Sequence, residues 1–330
     1  MQLTRAAPAT RWAAEMRIGL CLATGDMETE KPSSLSDLCE QAQEAEELGF
    51  DSVWVNDHYW VEQDDDHRRV GTLEPLIMLA YIAAATRRVR LGTLVLCDAF
   101  RHPGQLAREA ATLADGSRGR FILGIGAGWH EREFDAFGIP FARRVSRLEE
   151  TLTVLPGLLS GERVSQDGHF LHLDDASVVT TSPPPPIWVA AFRPRMIDLA
   201  ARLADGWHAS FLPPDPAWFA GLVEKVRASL DANDRDAAKF SITAGFHVLP
   251  VEGREQETAL LRARGLAGGE GERPMEERAV IGGVDRILGA IRDYEAAGAQ
   301  EVIVNLSLDP FGGFDRSYPR RFKPVLDALR

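Results

Sequence analysis

The amino-acid sequence predicts an α/β protein, a (β/α)8 TIM barrel with a hairpin insertion after helix 4. Short apolar runs alternate repeatedly with segments whose apolar residues recur at helical spacing. Turn signals typical of hairpins are missing between the first four strands, so these strands should be parallel with right-handed crossovers. Eight strands with interposed helices in one chain fit a closed barrel better than an open doubly wound sheet.

The first half of the chain supplies four strand-helix pairs. Its predicted strands are MRIGLCL, SVWV, VRLGTLVL and RFILGIG. Apolar residues from Leu35 to Leu48 indicate the first helix, with Ser36 placed to cap it and Gly49 to end it. The second helix, EPLIMLAYIAAAT, carries Pro75 in its first turn, where proline is well tolerated. PGQLAREAATLA and RRVSRLEETLTVLPGLLS are the third and fourth helices.

Residues 160–186 interrupt this alternation. A Gln-Asp-Gly turn separates two short alternating runs, which predicts a hairpin, and TSPPPP closes the insertion. The later strands are IWVAA, GWHASF, FSITAGFHVLP and QEVIVNLSL. The helices that follow or separate them are PRMIDLAARLA, DPAWFAGLVEKVRASL, GVDRILGAIRDYEAAGA and YPRRFKPVLDAL.

The expected domain organisation is simple. Residues 1–15 lack the apolar core of a secretory signal and are interpreted as a flexible extension, with Met16 as an alternative start. Residues 16–330 are expected to form one domain. Within it, residues 252–278 are rich in Gly, Glu and Arg and are expected to be a mobile surface segment.

Composition narrows the function classes. The 330 residues carry 49 acidic and 37 basic side chains, a net charge of -12, which argues against binding to nucleic acid or an anionic membrane. No apolar run is long enough to span a membrane. The three cysteines form no CxxC pair, so neither disulfides nor a zinc site is expected, as is typical of a cytoplasmic protein.

The second strand ends in an unusual cluster. The stretch DSVWVNDHYW places Asp57 and His58 directly after the apolar residues of the strand. In a (β/α)8 barrel the C-terminal ends of the strands form the active site, so this end should carry both side chains to the rim. A lone histidine is more often structural, but its placement at the rim favours a chemical role.

Two other patterns resemble known motifs and do not satisfy them. Gly124, Gly126 and Gly128 are spaced GxGxG, and Trp129 stands where a dinucleotide-binding loop needs its third glycine. The loop is therefore either a tight turn or a place where backbone approaches a flat ring or a phosphate. Residues 64–67, DDDH, are contiguous and cannot easily converge on one ion, so they are interpreted as an acidic loop and no metal site is expected.

Several segments together resemble the luciferase-like flavin and deazaflavin oxidoreductase family, most closely its coenzyme F420-dependent branch. They are AEELGFDSVWVNDH, LGTLVL with FRHP, GRFILGIGAGW with EF, AFGIPF and RLEE, and IWVAA with RLADGW. The likeness runs from about residue 16 to about residue 218, with a weaker one in IGGVDRILGAIRDYEAAGAQEVIV. Each motif alone is moderately specific for the family, and their occurrence together in the family's order is strong evidence for the resemblance.

The resemblance implies a set of site residues. Asp57 and His58 match the pair beside the deazaflavin ring and the substrate, and Leu94-Val95 match a non-prolyl cis peptide behind the ring. The other expected cofactor-binding residues are Cys97, Gly126, Ala127, Gly128, Ala190, Ala191, Phe192 and Arg193.

One departure affects the phosphate loop after strand five. Phe192 and Arg193 stand where relatives usually carry a Gly-Gly pair, so backbone contact with a phosphate should be altered. The guanidinium of Arg193 is expected to bind the phosphate instead.

The resemblance implies an oxidoreductase that transfers a hydride between reduced coenzyme F420 and a small organic substrate. His58 would donate or accept the proton. Asp57 would orient His58 or contact the cofactor, and Trp129 would shape the substrate side of the pocket. One alternative is a monooxygenase that uses reduced FMN supplied by a separate flavin reductase. Another is a barrel that binds flavin without catalysis. Family barrels commonly associate through helices near the first three strands, so a homodimer is expected.

Overall fold

The computed structural model describes residues 16–26, 30–62, 69–209, 214–251, 253, 279–307 and 317–330. In these ranges eight parallel strands close a barrel, which confirms the predicted fold class. The barrel strands are β1 Arg17–Cys21, β2 Ser52–Val55, β3 Arg90–Thr93, β4 Phe121–Gly126, β5 Ile187–Ala190, β6 Gly206–Ala209, β7 Ser241–Pro250 and β8 Glu301–Asn305. Each strand pairs with the next, and β8 pairs with β1 to close the ring.

Helices accompany the strands through most of the described chain. Their bounds are Leu35–Leu48, Pro75–Ala85, Pro103–Gly116, Glu131–Ala136, Arg144–Leu159, Pro194–Leu203, Pro216–Ala232, Val284–Ala296 and Tyr318–Leu329. The short helix Glu131–Ala136 was not expected from the sequence. Among the described helices, none is both long and apolar enough to cross a membrane.

The first helix, Leu35–Leu48, is capped two residues earlier than predicted. Ser34 is the N-cap, and its hydroxyl accepts a hydrogen bond from the Asp37 amide at 3.1 Å. Ser36 lies inside the helix, so its predicted capping role is wrong. Gly49 ends the helix as predicted, with φ at 99°, a conformation that favours glycine.

The predicted hairpin is present in the insertion. Val164–Asp167 pairs antiparallel with His172–Ala176, and the Gln-Asp-Gly segment leads into the turn. A short strand missed by the sequence analysis, Ala279–Gly282, pairs with the C-terminal half of β7. Leu96–Cys97 pairs with the end of β4 and so holds the loop after β3 against the barrel.

The barrel interior is filled by side chains. Trp54 and Trp188 stack inside it, with ring centroids 5.2 Å apart. A Cβ at Gly92 would lie 2.1 Å from the Trp54 ring, so the glycine leaves the space that the indole fills. Because this core leaves no channel, a ligand must bind at an end of the barrel.

Charged side chains occupy the N-terminal end of the barrel. Glu301 is fully buried and accepts a hydrogen bond from Arg90 at 2.7 Å, with Arg17 3.5 Å away. Its other carboxylate oxygen accepts from the Ser52 hydroxyl. These residues begin β8, β3, β1 and β2, so the network ties four strand starts together. This end is assigned to stability, because its charged side chains pair with one another across four strands.

Three expectations concern residues outside the described ranges. They are the N-terminal extension 1–15, the acidic loop 64–67 and nearly all of the segment 252–278.

Candidate functional site

Asp57 is fixed at the C-terminal end of β2. Its carboxylate is 7% exposed and lies 2.6 Å from Nη1 of Arg101. The same oxygen, Oδ2, accepts a hydrogen bond from the Cys97 amide at 2.8 Å, and Oδ1 accepts from Nη2 of Arg101 at 3.2 Å. Asp57 therefore joins the loop after β2 to the loop after β3.

Arg101 also contacts a second carboxylate. Its Nη2 lies 2.6 Å from Oε1 of Glu74, the residue that caps helix Pro75–Ala85. Burial by itself lowers the pKa of Arg101, but the neighbouring carboxylates of Asp57 and Glu74 outweigh burial and raise that pKa above its usual value. The guanidinium therefore remains charged and holds the rim in one arrangement.

His58 is positioned by a different carboxylate from the one expected. Its Nδ1 lies 2.9 Å from Oε2 of Glu133, a residue on the short helix Glu131–Ala136. Glu133 is only 2% exposed, and its Oε1 accepts hydrogen bonds from the backbone amides of Tyr59 at 2.6 Å and Trp60 at 3.3 Å. One buried carboxylate thus holds both the imidazole of His58 and the backbone that follows it.

A second histidine faces the same carboxylate. Nδ1 of His130 lies 3.3 Å from Oε2 of Glu133, although its geometry does not meet that of a hydrogen bond. Within the described residues, His58, His130 and Glu133 bring potential ligand atoms within 4.8 Å of one another. Sequence analysis did not anticipate this cluster.

Trp129 lies on the open side of His58. The two rings meet edge to face, with centroids 5.6 Å apart, and Trp129 is 65% exposed. Tyr59 stacks on Phe137 nearby, at 4.0 Å between centroids. An exposed indole beside a titratable ring can cover one face of a bound ligand. The expectation that Trp129 shapes the substrate side therefore has a suitable geometry.

The glycine-rich loop after β4 packs against the loop after β3. The peptide bond between Leu94 and Val95 is cis, as the resemblance implied. A Cβ at Gly126 would lie 2.9 Å from Val95 and 3.9 Å from Ala190, so these three expected site residues are neighbours. Because Gly126 lacks that Cβ, a flat ring can approach the backbone here.

Gly128 shows why glycine is needed at the next step of this loop. Its φ is 81°, and a Cβ there would lie 2.7 Å from the Cys97 sulfur and 2.6 Å from the Phe134 ring. Ala127 between the glycines is buried. Burial raises the pKa of Cys97 to about 12, so its thiol is protonated at neutral pH and packs as an apolar group.

The loop after β5 presents an aromatic and a cationic side chain. Ala190 ends the strand and Ala191 follows it, and the carbonyl of Ala191 accepts a hydrogen bond from the Trp207 indole N–H at 2.7 Å. Phe192 is 36% exposed and stacks on Trp218 at 6.2 Å between centroids. Arg193 is the N-cap of helix Pro194–Leu203 and has an extended backbone. A guanidinium beside a helix N-terminus suits an anion.

His208 lies deeper in the barrel. It is fully buried on β6, with Nδ1 2.8 Å from the Thr243 hydroxyl. Burial lowers the pKa of His208 to about 3, so the ring is neutral at physiological pH. A permanently neutral histidine is better suited to structure than to proton transfer.

A separate groove of about 690 Å³ lies between helices Leu35–Leu48 and Tyr318–Leu329. Its lining includes the carboxylates of Asp37, Glu40, Glu44 and Glu47. Four carboxylates disfavour an anionic ligand. The strand-end site is the better candidate because it combines a glycine loop, a titratable ring and Arg193.

Sequence analysis missed Glu133, His130, Arg101 and Glu74. The sequence could have indicated two of these residues, because Glu133 and Arg101 lie inside segments that carry the family resemblance. Their partners are distant in sequence: Glu133 lies 75 positions after His58, and Arg101 lies 44 positions after Asp57. Only the closed barrel brings them together.

Comparison with known proteins gives one family. A model of the family described as luciferase-like monooxygenase matches residues 16–301. The F420-dependent hydroxymycolic acid dehydrogenase of Mycobacterium tuberculosis is 35% identical over 212 residues, which cover 62% of this chain and 56% of that protein. The F420-dependent glucose-6-phosphate dehydrogenase of Kineococcus radiotolerans is 36% identical over 217 residues, which cover 64% of this chain and 62% of that protein. The matched part of the chain thus spans less than two thirds of either relative.

A solved structure shares the fold over nearly the whole chain. The coenzyme F420 dependent tetrahydromethanopterin reductase from Methanopyrus kandleri superposes with a TM-score of 0.77 at 20% identity. The superposition covers 96% of this chain and 100% of that one.

Proposed function

Because the chain belongs to the luciferase-like monooxygenase family, we propose that it is an oxidoreductase that transfers a hydride between coenzyme F420 and a small organic substrate. The observation that carries this proposal is the convergence of His58, Trp129 and the Val95-Gly126-Ala190 surface at one end of the barrel. The names of the two F420-dependent relatives support the choice of cofactor.

The ring of the cofactor would lie on the surface formed by Val95, Gly126 and Ala190. When bound, the deazaflavin would donate or accept the hydride, and the protein would supply binding, orientation and the group that donates or accepts the proton. The missing Cβ of Gly126 lets a planar ring approach the backbone closely. Arg193 and the N-terminus of helix Pro194–Leu203 would bind the phosphate of the cofactor.

His58 would exchange the proton that accompanies hydride transfer. Reducing a carbonyl carbon requires a proton on the oxygen, and oxidising an alcohol requires its removal. The unperturbed pKa of an imidazole, about 6.5, suits both directions near neutral pH. Trp129 would cover the substrate on the open side and restrict water.

A homodimer is proposed as the working form. Helix Pro75–Ala85 is apolar on both faces, and its outward residues Ile77 and Tyr81 are each 55% exposed. Ala80 and Ala84 complete this face at helical spacing and would let a second helix approach closely. Family barrels associate through helices in this part of the fold.

Titration with oxidised coenzyme F420 and, separately, with FMN tests the cofactor. Fluorescence change that saturates at micromolar coenzyme F420 and not with FMN is the expected result. Saturation by FMN, with oxygen consumption when reduced FMN is supplied, would instead assign a two-component monooxygenase that depends on a separate flavin reductase. Binding without turnover of any alcohol or carbonyl tested would favour a non-catalytic flavin-binding barrel.

A further inference from the structure

We propose that Glu133 is a positioning residue that sets the tautomer of His58, an inference that rests on the proposed proton role of that histidine. Its carboxylate would hold the proton of the imidazole on Nδ1, so that Nε2 exchanges a proton with the substrate. Nothing in the family resemblance assigned a role to this glutamate.

The carboxylate of Glu133 is held in one orientation by the backbone after His58. Oε1 of Glu133 accepts hydrogen bonds from the backbone amides of Tyr59 and Trp60, at 2.6 and 3.3 Å. These bonds fix the plane of the carboxylate in a buried position. Oε2 is then left facing the Nδ1 of His58.

An ionised carboxylate can only accept hydrogen bonds. It has no proton to give, so a contact of 2.9 Å with Nδ1 requires that the imidazole carry its proton on Nδ1. Neutral His58 therefore has its lone pair on Nε2 and can act as a base there. When Nε2 is protonated, Glu133 faces the resulting imidazolium and stabilises it.

Other charged groups lie near this pair. His130 faces the same oxygen at 3.3 Å, and protonation of His130 would weaken the hold of Glu133 on His58. The Asp57-Arg101 pair and the phenol of Tyr59 lie on the same loops. Asp57 and Arg101 pair with one another, so Glu133 and His130 are the titratable side chains that face His58 directly.

A bound metal ion is the rival interpretation of the same three side chains. His58, His130 and Glu133 could supply two nitrogens and one oxygen. Hydrogen bonding is favoured because the 2.9 Å contact between Nδ1 and Oε2 is that of a direct charge-assisted bond, with no room between the atoms. The tests below separate the two interpretations.

Glu133→Gln is the decisive variant. Its amide oxygen can keep both backbone hydrogen bonds, while its NH2 group then faces Nδ1 of His58 and reverses the tautomer. We expect turnover to fall about 10²- to 10⁴-fold, as for loss of acid-base catalysis or of a correct histidine tautomer. The acidic limb of the rate profile should move to lower pH, because an amide cannot stabilise the imidazolium. Glu131→Gln, an exposed change of the same charge on the same helix, should leave turnover unaltered.

A measurement on the protein without cofactor gives an independent readout. Imidazole ¹⁵N chemical shifts, assigned with His58→Asn, should show Nδ1–H in the wild type and Nε2–H in Glu133→Gln at a pH where the ring is neutral. Wild-type signals from the Nε2–H form would overturn the proposal, whether or not the variant folds. Signals that change on EDTA treatment and return with Zn²⁺ would overturn it in favour of a metal site.

The two proposals can fail separately. Absence of coenzyme F420 binding would refute the proposed function and leave the tautomer measurement intact. Normal turnover by folded Glu133→Gln would refute the positioning role alone.

Discussion

Asp57 and Arg101 form a nearly buried ion pair at the end of the barrel that carries His58. Nη1 of the arginine lies 2.6 Å from Oδ2 of the aspartate, and the two side chains are 12% and 7% exposed. Because the Cys97 amide shares the same oxygen, the pair fixes two loops relative to each other.

Replacing Asp57 with Asn should destabilise the protein, since the change leaves Arg101 charged without its buried partner. Removing one member of a buried pair costs about 3–5 kcal/mol, and we expect the lower end because Glu74 still contacts the guanidinium. Urea unfolding measures the change. Glu74→Gln is the matched control. It should lower the free energy of unfolding by only about 0.2–1 kcal/mol, because the Glu74 carboxylate is 39% exposed. Equal losses from both variants would contradict a special role for the buried carboxylate.

His58→Asn should retain cofactor affinity and lose most of its turnover. Asparagine can form a hydrogen bond but cannot exchange a proton near neutral pH, so the rate should fall about 10²- to 10⁴-fold. Loss of one neutral hydrogen bond would cost only about 1 kcal/mol, or roughly fivefold in affinity. Steady-state rates at saturating cofactor and substrate test this, with exposed His172→Asn as the control. A rate within a few-fold of wild type would show that His58 lines the pocket without exchanging a proton.

Arg193→Ala should weaken binding of coenzyme F420. A charge-assisted hydrogen bond contributes about 1.5–3 kcal/mol, and solvent exposure places the expected effect near tenfold in Kd. Fluorescence titration measures it, with exposed Arg108→Ala on helix Pro103–Gly116 as the control. Unchanged midpoints in the Arg193 variant would remove this residue from the phosphate site.

Tyr81→Glu should dissociate the proposed dimer by placing a charge on the apolar face of helix Pro75–Ala85. Sedimentation at micromolar concentration should show a wild-type particle of twice 36.3 kDa and a variant near 36.3 kDa. Val179→Glu, at an apolar position that is 94% exposed, should not change the particle size. A wild-type protein that sediments only near 36.3 kDa would refute the dimer.

His208 should make the stability of the fold depend on pH on the acidic side. Burial lowers the pKa of its imidazole to about 3 in the folded protein, whereas the unfolded chain has a value near 6.5. The unfolded state therefore binds more protons between these values, so the stability present above pH 6.5 is lost as pH falls toward 3. The loss attributable to this residue should reach on the order of 3 kcal/mol by pH 4.

The comparison that isolates His208 uses two variants. Urea unfolding of His208→Gln should vary less with pH between 7 and 4 than that of the wild type. His172→Gln, at an exposed histidine, should retain the wild-type slope. An unchanged slope in His208→Gln would show that other groups cause the acid sensitivity.

The sequence by itself determined the barrel, the hairpin and the end of the barrel that carries Asp57 and His58. Strand and helix periods are local properties, so alternating patterns such as SVWV and the helix after it are visible without a structure. The order of the elements then fixes a parallel barrel, and position at a strand end places Asp57 and His58 on the rim. The family likeness added the cis peptide at Leu94-Val95, which the structure contains.

Only the tertiary structure decided which partner each rim side chain has. Asp57 and His58 are adjacent in sequence, yet one carboxylate holds Arg101 and the neighbouring imidazole faces Glu133. Arg101 lies in the loop after β3, and Glu133 lies on the short helix Glu131–Ala136 after β4. Burial of Glu133 likewise arises from the whole fold, because a carboxylate becomes dry only when distant segments enclose it.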